Sequence, residues 1–139
     1  MPTYFVDTWF WIALIDKKSD EHEQAESISR EIGNENTLLL TSEMVFTELL
    51  AYFSKKEQCL REAASELVQE LFQRDAQITI VHQTHDQFER ALGRYRKFKD
   101  KQWSLTDCAS MLIMDAHSIT TAITNDHHFT QAGYNIKNS

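Results

Sequence analysis

Four carboxylates occupy positions where an isolated charge is costly, and together they point to one kind of chemistry. Asp7 directly follows the β-prone run Tyr4-Phe5-Val6, and Asp126 follows Ala122-Ile123-Thr124-Asn125, a second such run. Glu48 falls between Val45 and Tyr52, inside an apolar stripe with Met44, Leu49 and Phe53. Asp107 has Met111 and Met114 at i+4 and i+7, a spacing that turns it toward the core side of a helix. A buried carboxylate without a partner must take up a proton, an opposite charge or a cation. Gathered in one place the four would repel one another, by about 4 kcal/mol for two unit charges ~4 Å apart at an effective dielectric of about 20. Bound protons or divalent cations relieve that repulsion, and an all-oxygen donor set without cysteine selects Mg²⁺ or Mn²⁺.

Each acid also has a local explanation. Asp7, or Thr8 beside it, can cap a short helix from Trp9 to Leu14, and Asp126 can cap one from His127 to Ala132 that Gly133 closes. Glu48 can sit at the margin of its stripe and pair with a lysine. Ser104-Leu105-Thr106-Asp107 has the form of a capping box. Taken one at a time, these readings compete with a shared site.

The elements that would have to bring the acids together alternate along the chain. Strands are expected at Tyr4 to Val6, Leu38 to Thr41, Ile78 to Val81, Ile119 to Thr124 and Tyr134 to Ile136. Helices are expected from a Ser19 or Asp20 cap to Ile32, where Gly33-Asn34 ends the segment, and from a Thr41 or Ser42 cap to about Lys55. Further helical patterning covers Leu60 to Phe72, Asp86 to about Lys99, and Leu105 to Ala116. Strands this apolar have no face to leave in water, so the expected fold is α/β, a three-layer α/β/α sandwich around a mostly parallel sheet of four to five strands. Ligands of such sheets bind beyond the carboxyl ends of the strands, where Asp7 and Asp126 would both stand.

The composition fits one domain over residues 1–139: 42% of the residues are apolar and 25% charged, with 14 Lys and Arg against 21 Asp and Glu. Collagen-like, disordered and disulfide-scaffold classes are excluded. No apolar run approaches the ~20 residues that span a bilayer, and the first residues lack a leader pattern, so the expectation is a cytoplasmic protein with no membrane contact. Cys59 and Cys108 have no zinc-ligand spacing and are expected to be reduced thiols packed as small apolar groups.

The acidic balance is uneven. Arg90, Arg94, Arg96, Lys97, Lys99 and Lys101 face Asp100 alone in a segment that runs into Trp103 and the Asp107 helix. A basic run of this kind is commonly the solvated face of a helix. Here its position suggests contact with phosphates beside an acidic centre, through Arg94, Lys97 and Lys101, with Tyr95 or Trp103 available to stack on a base. His127 and His128, next to Asp126, could ligate metal or help protonate a leaving group, but exposure is the expected reading; His82 and His85 are expected to lie in a loop, and Trp9, Phe10 and Trp11 to be core or dimer-contact residues.

Four short motifs in this order resemble the PIN domain: Phe5-Val6-Asp7-Thr8, Thr47-Glu48-Leu49, Ser104-Leu105-Thr106-Asp107-Cys108, and Thr124-Asn125-Asp126-His127-His128-Phe129. The likeness covers essentially the whole chain and is greatest to stand-alone bacterial toxins of the VapC type. It implies a Mg²⁺- or Mn²⁺-dependent endoribonuclease in which Asp7, Glu48, Asp107 and Asp126 hold metal or position water. Thr8, Ser104 and Thr106 would hydrogen-bond those carboxylates, or cap their helices and no more. The resemblance also implies a 5′-phosphate product, a homodimer, and an antitoxin protein whose tail enters the acidic cleft.

Two other functions compete with this one. An aspartyl-phosphate phosphatase of the haloacid-dehalogenase type also starts from an Asp after its first strand, but it needs a second Asp two positions later, where this chain has Trp9. A non-catalytic PIN-like module would keep the fold and the acidic pocket and serve only as a protein-binding or regulatory surface.

Overall fold

Every strand of this chain is followed by at least one helix before the next strand begins, which supplies the crossover that parallel pairing requires. The computed structural model, which describes residues 2–73 and 77–139, has this arrangement. In chain order the elements are β1 (Thr3–Val6), α1 (Thr8–Ile15), α2 (His22–Asn34), β2 (Leu38–Ser42), α3 (Glu43–Phe53), α4 (Gln58–Gln73) and β3 (Ile78–Val81). They continue with α5 (His85–Lys97), α6 (Leu105–Ala116), β4 (Thr121–Ile123), α7 (His127–Gln131) and β5 (Asn135–Lys137). The sheet order is β3-β2-β1-β4-β5, and all four pairings are parallel.

The sheet grows outward from β1 in both directions, first through β2 to β3 and then through β4 to β5. Right-handed crossovers therefore send α1 to α4 to one face and α5 to α7 to the other, the expected α/β sandwich. The reversal at β1 and β4 opens a crevice at their carboxyl ends. Phe5, Val6, Ala122 and Ile123 are fully buried between the helical layers, against Leu49 of α3 and Met111 of α6 among others. No described helix is long and apolar enough to cross a membrane.

The element boundaries depart from the sequence expectation in instructive places. Ile119 and Thr120 lie outside β4: Ser118 takes φ 55° and the Ile119 N–H donates to the Met114 carbonyl, closing α6, while the Thr120 carbonyl accepts from the Asn135 N–H at the start of β5. α2 does not stop at Ile32 but takes in Gly33 and Asn34, because Gly33 keeps a helical backbone and the Glu35 N–H still reaches the Glu31 carbonyl. Gly133, at φ 96°, does take the left-handed conformation and stops the chain after α7. Cys108 is buried as expected, but Cys59 is exposed near the start of α4 and is not a packing residue.

Candidate functional site

The carboxyl edge of β1 and β4 opens into a cavity of about 450 Å³ whose lining includes Asp7, Glu48, Asp107 and Asp126, with Thr8 and His128 between them. Four acids distant in sequence therefore share one wall. Each arrives by a different route. The Asp7 N–H donates to the Ile123 carbonyl, which extends the β1–β4 pairing by one rung and holds Asp7 against the end of β4. Asp7 stands at the N-cap position of α1, yet its side chain makes no capping bond. One of its oxygens, Oδ2, instead accepts from the Thr124 hydroxyl at 2.8 Å, and the other, Oδ1, is buried with no hydrogen-bond partner.

Glu48 lies at the edge of the apolar face of α3 and is half-buried. Its partners are hydroxyls rather than a lysine: Thr8 Oγ1 donates to Oε1 at 2.5 Å, and Thr106 also stabilises its charged form. Asp107 serves two purposes at once. It forms the capping box of α6, with its N–H donating to Ser104 Oγ at 3.0 Å and its Oδ2 accepting from the Ser104 N–H at 3.1 Å. The same Oδ2 lies 3.0 Å from His128 Nδ1. Asp126 caps α7 by accepting from the His128 N–H at 2.9 Å, and its Oδ1 is 3.2 Å from His128 Nδ1. The ring proton is assigned to Nδ1 because two carboxylate oxygens face it. The capping explanations therefore hold for Asp107 and Asp126 without excluding a site, and fail for Asp7.

Ser104→Ala removes the side-chain half of the α6 box, and we expect it to cost about 1 kcal/mol in a urea melt. Because the Asp107 carboxylate is held from that box, the loss also loosens one wall of the cavity.

Burial dominates the electrostatics. It pushes the Asp7 carboxyl up to about 7; the charges of Asp107 and Glu48 add to the effect, while the Thr124 hydroxyl and the Thr8 N–H oppose it. Glu48 is also raised, first by burial and then by Asp107 and Asp126, against the two threonine hydroxyls. Asp107 is raised by burial and by Asp126, against the Ser104 N–H and His128. A buried anionic oxygen without a donor, as at Asp7 Oδ1, is a group that a cation satisfies. Asp107, Asp126 and His128 each offer a ligand atom within 4.8 Å of the others. The residues present thus fit a divalent ion such as Mg²⁺ or Mn²⁺.

His128 was expected to be exposed, and the structure corrects this. Two residues beyond Asp126, in the first turn of α7, its ring folds back over the capping carboxylate. That Asp-x-His spacing at a helix start was the available signal. His127 is exposed as expected. Thr124, which fixes Asp7, also went unmarked, because its partner is 117 positions away.

The basic segment divides in two. Trp103 is only 6% exposed, with its ring centroid 5.1 Å from that of Phe98, and it lines a cavity with Tyr95 and Lys101. Arg94 lies over both rings, at 5.1 Å from Phe98 and 5.5 Å from Trp103, with its Nε buried. An aromatic cluster that seals the α5–α6 connection holds both residues. Arg94 and Lys97 line a separate depression against Leu112 that shares no residue with the acidic cavity. Lys101 lies in that basic cavity, with Arg96 and Lys99.

The PIN domain family model matches residues 4–134. No curated protein sequence matches the chain. Among solved structures, Mycobacterium tuberculosis VapC20, described as a sarcin-ricin loop cleaving toxin, superposes with a TM-score of 0.77 at 24% identity, over 94% of this chain and 95% of its own. A chain of VapBC2 from Rickettsia felis, solved bound to a DNA fragment from their promoter, superposes with a TM-score of 0.66 at 14% identity, over 97% of each chain.

Proposed function

This chain belongs to the PIN domain family, and from that premise we propose that it is a Mg²⁺- or Mn²⁺-dependent endoribonuclease, the toxin of a toxin–antitoxin pair. The observation that carries the proposal is the convergence of Asp7, Glu48, Asp107 and Asp126 on one cavity, with a buried oxygen of Asp7 left unpartnered. Likeness in fold to a toxin described as cleaving the sarcin-ricin loop supports RNA as the substrate. The toxin role brings with it an antitoxin partner, a homodimer and a cytoplasmic location.

In this reading the four carboxylates hold the metal, which when bound supplies positive charge to offset their repulsion and that of the phosphoryl transition state, and acidifies a water. Thr124 and Thr8 fix the rotamers of Asp7 and Glu48, so the oxygens are in place before substrate arrives. Trp9, Ile12 and Tyr52 form an apolar side of the cavity that limits water. His128 holds a proton at Nδ1 against Asp107 and Asp126.

Single-stranded RNA incubated with the purified protein is expected to be cut in Mn²⁺ and left intact in EDTA. Binding of Mn²⁺ without cleavage of any RNA would instead assign a protein-binding or regulatory role. Thr8→Val removes the hydroxyl on Glu48, and calorimetric titration should register a 10- to 100-fold weaker Mn²⁺ affinity, about the effect of losing a hydrogen bond to a ligating carboxylate. A small gene next to this one, encoding a DNA-binding protein that co-purifies with it, would be the antitoxin.

A further inference from the structure

Beside the acidic cavity lies a second one of opposite charge, about 650 Å³ in volume. Arg96, Lys99 and Lys101 line it together with Tyr95, and no acidic residue is part of its lining. Arg96 and Lys99 form no ion pair among the described residues, and Lys101 meets only Asp100, at 4.0 Å and largely in solvent. Tyr95 is 49% exposed. Gln102 and Ser104 line both cavities, so the two are contiguous across a single stretch of chain leading into α6.

We propose that the cavity of Tyr95, Arg96, Lys99 and Lys101 is a subsite for single-stranded RNA, holding the nucleotides that flank the phosphate presented to the acidic cavity. This rests on the nuclease reading above for what happens next door, but it makes its own claim about binding. A polyanion approaching four carboxylates is repelled, and unpaired cations one residue away offset that repulsion where the strand enters. Unpaired cations are also the groups that can exchange counterions for phosphates. An exposed tyrosine beside them offers a stacking face that any unpaired base can use. The bases of an intact duplex are already stacked and leave nothing for Tyr95. The cations named here differ from those expected on sequence alone, because Arg94 is spent on the Phe98–Trp103 cluster and Lys97 lies on the Phe98 side of α5.

The test measures binding apart from chemistry. Anisotropy of a fluorescein-labelled single-stranded RNA 12-mer in EDTA is read across a salt series for the full chain and for Arg96→Ala/Lys99→Ala/Lys101→Ala. The triple variant is expected to bind at least about tenfold more weakly, and its log–log salt slope to fall by about 2, since each single-strand phosphate contact contributes about 0.7. Tyr95→Ala should weaken single-strand binding about fivefold or more and leave a duplex of the same sequence unaffected. Lys99→Arg/Lys101→Arg should retain wild-type binding, which separates lost charge from a damaged fold. Unchanged RNA affinity and salt slope in the triple variant would overturn the proposal. So would loss of binding to a poly-glutamate peptide with RNA binding intact, an outcome that would give the surface to an acidic protein segment. If wild-type protein cuts no RNA in Mn²⁺ while the triple variant still loses RNA affinity, the nuclease reading fails and this one stands.

Discussion

Asp7→Asn and Asp107→Asn are each expected to lower Mn²⁺-dependent RNA cleavage by about a thousandfold or more. The magnitude follows from what each carboxylate does. A divalent ion contributes several kcal/mol of charge stabilisation to phosphoryl transfer, and each tenfold in rate corresponds to about 1.4 kcal/mol. Asparagine keeps the shape and the Thr124 or Ser104 hydrogen bond but removes the charge that binds the ion. The measurement is single-turnover cleavage of labelled RNA at saturating Mn²⁺, with both variants purified alongside wild type. Equal residual cutting in wild type and variants would mean a contaminating nuclease and remove the support for catalysis. An Asp107→Asn protein that cuts normally would leave the α6 cap as that residue's only function.

The metal-free protein is expected to behave in the opposite sense: Asp7→Asn should be more stable than wild type above neutral pH. The Asp7 carboxyl titrates near 3.8 when unfolded and near 7 when folded. A group whose folded value is raised favours the native state while it is protonated, and that contribution is lost as pH rises through the folded value. The shift corresponds to about 4 kcal/mol at pH 8, on the basis of 1.36 kcal/mol per unit. In EDTA at pH 8, Asp7→Asn should therefore melt several degrees above wild type, with the gap narrowing as pH falls below about 7 and gone below about 4. Adding Mn²⁺ at one hundred times its dissociation constant should restore about 2.7 kcal/mol to wild type and much less to the variant. A variant that melts below wild type in EDTA at pH 8 would mean that the Thr124 hydrogen bond, rather than the ion, is the purpose of this carboxylate.

Much of the architecture was legible because it is local. Runs such as Leu38-Leu39-Leu40 and Ile78-Thr79-Ile80-Val81 are strands, as their β-branched and apolar residues predict. Ser42 and Ser104 cap α3 and α6 where their side chains can reach N–H groups within one turn. The acids could be singled out by the same means, as carboxylates at strand ends or on apolar helix faces. What could not be read were contacts that cross the fold. Thr8 meets Glu48 across 40 positions and His128 meets Asp107 across 21. Trp103 and Arg94 have the composition of a nucleic-acid contact, and their packing against Phe98 could not be read from spacing.

The amino-acid sequence by itself determined the alternation of strands and helices and the places where carboxylates stand among apolar neighbours, since both follow from interactions within a few residues. Tertiary structure alone decided that Asp7 keeps one oxygen buried and unpartnered, that His128 bridges two of the acids, and that three cations line a cavity beside them. The reason is that desolvation and Coulomb interaction depend on distance through space, and chain spacing leaves that distance undetermined until the sheet closes.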